Sequence, residues 1–231
     1  MLKLTKQLKS PTIIVGFPGF GLVGTICTEF MLEHLAVQHV GKIWFEEMPA
    51  VIAVHKHKVI DPIGIFYNPK YNLLIIHAIS GPQGLEWKIG AEIAQIAKKL
   101  TAKQVIILEG IGSQAEETHN MYYYTTHDPK KLQAAGLKPL EEGIIMGLAG
   151  TILLQCERPI SALFAETHSE LPDSKAAAGI IEAMDKLLDL KVDTKPLMEL
   201  ATKFEEKLKG MMARGKIAQD EMEKKQMSYV G

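Results

Sequence analysis

The chain of 231 residues has two arginines, two cysteines and no long apolar run, and each shortage closes off a class of function. Arg158 and Arg214 are the only arginines, so the forked donors that grip phosphates and guanines bidentately are nearly missing. Basic and acidic side chains almost balance, 26 against 27, and nucleic acid is not an expected partner. Cys27 and Cys156 are isolated, each within apolar text. That favours two buried thiols over a disulfide framework or a thiolate metal site. No segment approaches ~18 uninterrupted apolar residues, and Met1 to Ser10 carries lysines without the apolar core of a signal peptide. A cytoplasmic protein with no membrane partner is expected.

What is present is enough apolar material for a sizeable core. Hydrophobic residues make up 47% of the chain, and the length suits one large α/β domain, residues 1–192, with an appendage, residues 193–231. Near the start, "PTIIVGFPGFGLVG" at 11–24 joins a β-branched run to a helical pattern in Leu22, Ile26, Phe30, Met31 and Leu35. Strand, glycine turn and helix are predicted there. Lys42 to Met48 reads as extended up to Pro49. Val51 to Lys58, Ile63 to Tyr67 and Leu73 to Ile79 read as strands joined by "VIDP" and "NPKYN". Those links are too short for parallel crossovers, so the three strands are antiparallel neighbours and the sheet is mixed.

Glu86 to Leu100 has helical spacing, and "QVIILEGI" at 104–111 reads as a buried strand. Residues 113–138, polar and containing "MYYYTT", are the expected irregular or functional surface. Gly143 to Cys156 is apolar on nearly every side and predicts a buried helix. "ISALFAET" predicts a last strand, after which Asp173 caps a helix through "SKAAAGIIEAMDKLLDL". Asp193 or Thr194 before Pro196 opens a further helix to about Gln226, whose second half becomes a charged arm.

Candidate chemistry is sparse. Gly19-Phe20-Gly21-Leu22-Val23-Gly24 spells G-x-G-x-x-G, and Glu46 lies 22 residues after Gly24, where a ribose-binding carboxylate would stand in a dinucleotide fold. Against that reading, Pro18 offers no N–H to a phosphate, and the antiparallel meander breaks the βαβαβ continuation. A tight turn built on Gly16, Gly19, Gly21 and Gly24, with Phe17 and Phe20 filling apolar space, is preferred. His55 and His57 share a strand face but have no third ligand nearby, which favours a polar face over a metal site. Glu109 and Glu166 end predicted strands without a base or nucleophile beside them. Ser113, His119, His127, Glu166 and His168 make a hydrolytic triad only on paper, with no nucleophile elbow to support it. No catalytic residue, cofactor or metal is assigned.

Three blocks together, "GFPGFGLVG" at 16–24, "EEGIIMGLAGTILLQC" at 141–156 and "LPDSKAAAGIIEAMDKLLDL" at 171–190, resemble the proteasome assembly chaperone family as it occurs in archaea. The likeness spans roughly residues 11 to 200, and Gly19-Phe20 stands where the family commonly has an acidic and then a small residue. The resemblance implies a three-layer α/β/α fold with a mixed sheet and nucleoside-phosphorylase-like architecture and assembly into homo-oligomers, to which the helix expected after Pro196 adds a C-terminal helical arm. It also implies no established catalytic residues and a role escorting proteasome core α subunits. Some archaeal members end in a hydrophobic-Tyr-any tail that enters pockets on the α-ring. Here the end is Met227-Ser228-Tyr229-Val230-Gly231, with the tyrosine one place further in than the motif. The resemblance carries partner binding to Met227, Tyr229, Val230 and Gly231. The alternative function is a small-molecule enzyme of the same architecture or a dinucleotide-binding oxidoreductase.

Overall fold

Strand-forming runs flanked by two helical patterns must bury both faces of a sheet, and the observed architecture does so. The computed structural model describes residues 2–4, 8–48, 52–55, 58–81, 84–112, 120–167 and 171–192. Among them the elements are β1 (Leu2–Leu4), β2 (Thr12–Gly16), α1 (Val23–His34), β3 (Gln38–Ile43), β4 (Ala53–His55), β5 (Lys58–Ile60), β6 (Ile63–Asn68), β7 (Leu73–Ala78), α2 (Glu86–Lys99) and β8 (Gln104–Gly112). They continue with β9 (Met121–Thr125), α3 (Lys130–Ala134), β10 (Lys138–Pro139), α4 (Gly147–Gln155), β11 (Ile160–Thr167) and α5 (Ser174–Leu188). The main sheet has nine described strands in the order β1-β3-β6-β7-β2-β8-β11-β9-β10.

The four central strands, β7, β2, β8 and β11, run parallel, and antiparallel strands flank them on both sides. This is the mixed sheet that the short links demanded. Because the central strands are covered on both faces, their residues alternate between two cores rather than between core and water. Ile14, Ile75, Ile106 and Leu163 pack with α1 and α5, while Ile13, Val15, Ile76 and Ile107 pack with α2 and α4. The result is three layers, α/β/α. Each fully buried isoleucine or leucine contributes about 1.5–3 kcal/mol of transfer free energy, so the paired cores anchor the sheet from both sides.

Helix termini follow the sequence signals unevenly. The Asp173 carboxylate accepts the Ala176 N–H at 2.9 Å and caps α5 as expected. At the other glycine-rich turn, α1 begins without a side-chain cap, after a single 3-10 turn over Phe20–Leu22. Gly21 holds φ at +59°, and a Cβ there would lie 2.8 Å from the Thr167 methyl. Gly24 packs its Cα against the Leu108 carbonyl, where any side chain would collide. The glycine turn thus brings α1 down onto β8.

Four expectations require correction. The extended segment at 42–48 ends at Ile43 and turns at residues 46–48, because β3 pairs antiparallel with β6 only as far as Lys42↔Gly64. The single strand predicted at 51–58 instead contributes β4 to a separate two-stranded hairpin with β5, with Val54 opposite Val59. "MYYYT" at 121–125 is regular strand: β9 alternates Tyr123 into one core and Tyr122 toward the other. The helix at 143–156 starts only at Gly147 and is not buried all round. Ala149, Thr151 and Ile152 face inward, whereas Ile144, Met146 and Leu154 are 72–89% exposed. A nine-residue helix lying on α2 covers one side only.

Candidate functional site

Parallel strands place their carboxyl ends along one rim, and ligand crevices form where neighbouring strands connect in opposite directions. Here the chain leaves β2 toward β3 on one side of the sheet and returns from β7 through α2 to β8 on the other. The crevice expected at that point exists. It encloses about 340 Å³ between the ends of β2 and β8, the glycine turn and the first turns of α2 and α4. Phe17, Pro18 and Phe20 form one wall, Gly147, Leu148 and Ala149 the opposite wall, and Glu109 and Glu86 supply its carboxyl groups.

Glu109 is the chemical centre of this crevice. It points from β8 toward the turn so closely that a Cβ on Gly19 would lie 3.2 Å from its Oε1. No hydrogen bond or ion pair joins it to another described residue, and burial alone pushes its carboxyl up to about 7. A carboxyl that titrates near neutrality can accept or donate a proton at little cost. Among the lining residues Phe20 and Met146 are 43% and 72% exposed, and Trp87, next to Glu86 on α2, is 62% exposed. The backbone at Trp87 is held by α4: the Thr151 hydroxyl lies 3.1 Å from the Glu86 carbonyl, a contact it shares with the Leu148 carbonyl at 2.8 Å, and the Gln155 amide donates to the Trp87 carbonyl at 3.4 Å. The site is an acidic slot with an apolar rim.

The other sequence candidates separate. Glu166 is structural: it accepts from the Asn120 N–H, the Asn120 amide and the Tyr122 hydroxyl at 2.9–3.1 Å, fastening the start of β9. His127 lies at the opposite end of the sheet, because antiparallel β9 sets Thr125 beside Ser161 and Met121 beside Ala165. The two cannot share a triad, and Ser113, His119 and His168 fall outside the described residues. Glu46 sits in the turn after β3, with β6 and β7 between that strand and β2, so it is not placed to reach a ligand held by the glycine turn. His55 belongs to β4 while His57 is outside the described residues, and among those residues no group of three potential metal ligands occurs.

Both cysteines are free. Cys27 is buried, its thiol donating to the Ala177 carbonyl at 3.4 Å and pushed up by burial. Cys156 is half-buried and pushed up chiefly by burial. Among the described residues no helix is long and apolar enough to cross a membrane. Met227, Tyr229, Val230 and Gly231 lie outside the described residues.

Sequence reasoning passed over His77. In β7 it is buried, with Nδ1 2.8 Å from the Thr28 hydroxyl and Nε2 3.0 Å from Glu29 Oε2. The Thr28 hydroxyl also lies 2.9 Å from the Gly24 carbonyl, and which partner donates in the Thr28–His77 bond follows the ring's tautomer. A lone polar residue inside the apolar run "LLIIHA" was the available signal. The cluster ties α1 to the sheet on the face away from the crevice.

Known proteins match this chain over nearly its whole length. The sequence profile of the PAC2 family covers residues 13–212. An uncharacterised protein of Methanocaldococcus jannaschii is 23% identical over 210 residues, 88% of this chain and 86% of that protein. The crystal structure of Pyrococcus furiosus PbaA, described as an archaeal homolog of proteasome-assembly chaperone, superposes with a TM-score of 0.84 at 29% identity, covering 95% of this chain and 99% of that one. P. furiosus PbaB, described as an archaeal proteasome activator, shares the fold with a TM-score of 0.73 at 18% identity, covering 92% and 98%. On this profile and this fold, the chain belongs to the PAC2 family, the group that its three sequence blocks resemble.

Proposed function

We propose that this protein is a proteasome assembly chaperone: a homo-oligomeric, non-enzymatic binding protein that escorts or docks on proteasome core α subunits. In this reading a folded domain, residues 1–192, presents partner surface, and residues 193–231 supply a C-terminal helix and tail ending in Met227, Tyr229, Val230 and Gly231. The observation that carries it is the end-to-end likeness to PbaA, 95% of this chain on 99% of that one. The exposed apolar side chains on α2 and α4 support it, since large apolar groups left in water mark surfaces built for partners. A closed oligomer would multiply weak contacts by raising their effective concentration.

The crevice favours a second reading, a small-molecule enzyme of nucleoside-phosphorylase-like architecture, because Glu109 stands where α/β enzymes place acid–base groups. The chaperone reading is preferred because the described crevice lining holds no nucleophile and no arginine to work with that carboxyl. Co-purification of the tagged protein with separately expressed proteasome α and β subunits is the test. Capture of α but not β subunits is the expected result, and capture of neither rejects the chaperone reading.

A further inference from the structure

We propose that the crevice between β2, β8 and α4 is a binding site for a primary ammonium or guanidinium group carried on an apolar stem, with Glu109 as the counter-ion. This site is independent of the docking on proteasome subunits proposed above. Its size fits: about 340 Å³ lies at the lower end of small-molecule sites. Its chemistry is one-signed, because Glu109 and Glu86 are the charged groups among the described lining residues.

Glu109 is the group left wanting a partner. It faces Phe17 and Phe20 from the β2 turn, Glu86 from α2 and the Gly147 turn of α4, and none of these pairs with it. A cation entering the slot would meet the Glu109 carboxylate and the rings of Phe17 and Phe20, and an aromatic face attracts a cation presented to it. An apolar stem would then lie along Ile89, Ile107 and Ile152. The first turns of α2 and α4 also border the cavity, and their positive ends oppose a bare cation weakly. A charge-assisted hydrogen bond to the carboxylate is the stronger interaction, and the same helix ends favour the ionised Glu109 that the cation requires. The pair therefore prevails over the dipoles.

A second cavity of about the same volume lies at the other end of the parallel strands, where Lys103, Lys131 and His127 outnumber the one carboxylate of the lining, Asp128. Its lysines repel the same ligand, so the molecule contains its own internal control.

The test is an amide-resonance NMR titration of the isotope-labelled full chain with n-hexylamine, with hexan-1-ol as the uncharged control and an acetylated, amidated Leu-Lys-Leu peptide as a second source of the same group. Saturable shifts around Gly19 and Glu109, absent around Lys103, are expected at pH 8. Because the carboxyl titrates at about 7 while the amine stays protonated, affinity should fall about tenfold between pH 8 and pH 6. Glu109→Gln, which keeps the shape and removes the charge, should weaken binding at pH 8 at least tenfold. A peptide that binds ten times more tightly than hexylamine assigns the site to a partner's side chain, and equal affinities assign it to free amines. The proposal is overturned if neither probe binds at pH 8, if hexan-1-ol binds as well as hexylamine, or if Glu109→Gln binds unchanged.

Discussion

The hydroxyl of Thr151, in the middle of α4, shares its proton between the Leu148 carbonyl of its own helix at 2.8 Å and the Glu86 carbonyl in the first turn of α2 at 3.1 Å, and directly beside that contact the two helices touch at Gly90. A Cβ on Gly90 would overlap Thr151 Oγ1 and lie 2.9 Å from Thr151 Cβ. The wall of the crevice and the seat of Trp87 both depend on this contact.

Gly90→Ala should therefore destabilise the fold, although alanine is the better helix former by about 1 kcal/mol. Overpacking at a helix contact costs about 1–3 kcal/mol, and the collision is with a hydrogen-bonded hydroxyl and with the Thr151 Cβ, which rotation of the side chain does not move. Thr151→Ala alone should cost about 1 kcal/mol for the lost bond. In the double variant the colliding hydroxyl is gone, so the two losses should sum to less than their separate values. Urea unfolding of the four proteins measures the coupling, and strict additivity would show that the helices do not meet as described.

Loss of the α5 cap gives a simpler outcome. Asp173→Ala removes the acceptor of the Ala176 N–H and should cost about 1 kcal/mol, while Asp173→Asn should keep most of the stability. Thermal unfolding separates the two variants. Equal losses in both would mean that charge, rather than the capping bond, supports the helix.

Some of this architecture was legible in the sequence and some was not, for physical reasons. The antiparallel turn between β6 and β7 was readable because link length sets a hard limit on crossover geometry, and Asp173 because capping is local chemistry. The tyrosines of β9 were misread because a strand that pairs with β11 near the rim of the sheet can carry polar and aromatic residues that resemble loop text. The β4–β5 hairpin was missed because β-propensity alone does not say which strand a segment pairs with. Glu109 was noticed at a strand end, but its crevice arises from β2, α2 and α4 folding together, and no local pattern encodes that convergence.

Glu109 also makes a pH prediction with a definite sign. Its carboxyl lies at about 7 in the folded protein against 4.5 when unperturbed, so between those values the folded state holds a proton that the unfolded state has released. Stability contributed by this group should be fully present below about pH 4.5, fall as pH rises toward 7 and level off above. Glu109→Gln should thus gain on the wild type by on the order of 3 kcal/mol at pH 8 and by little near pH 4.5. Urea unfolding at the two pH values checks it, and a gain that does not change with pH would show that the carboxyl is not enclosed.

The proposed docking of the C-terminus on the proteasome α-ring rests on the last residues of the chain, where the resemblance is offset by one place. Tyr229 offers apolar area with a polar end, and the carboxylate of Gly231 is a group that a lysine in a receiving pocket can pair with. Any one tail should bind weakly, because ordering a chain end costs conformational entropy. Several tails on one oligomer should bind a ring of repeated pockets far more strongly than one, since each contact raises the effective concentration of the next. Deleting Ser228 to Gly231 should accordingly weaken binding to assembled α-rings by 10²-fold or more while light scattering shows the oligomer unchanged. Tyr229→Ala in the full-length chain should lose most of the same affinity. If the truncated protein binds α-rings as well as the full chain, recognition belongs to the folded body, and the exposed apolar residues Trp87 of α2, Met146 and Leu154 of α4 become the residues to substitute next.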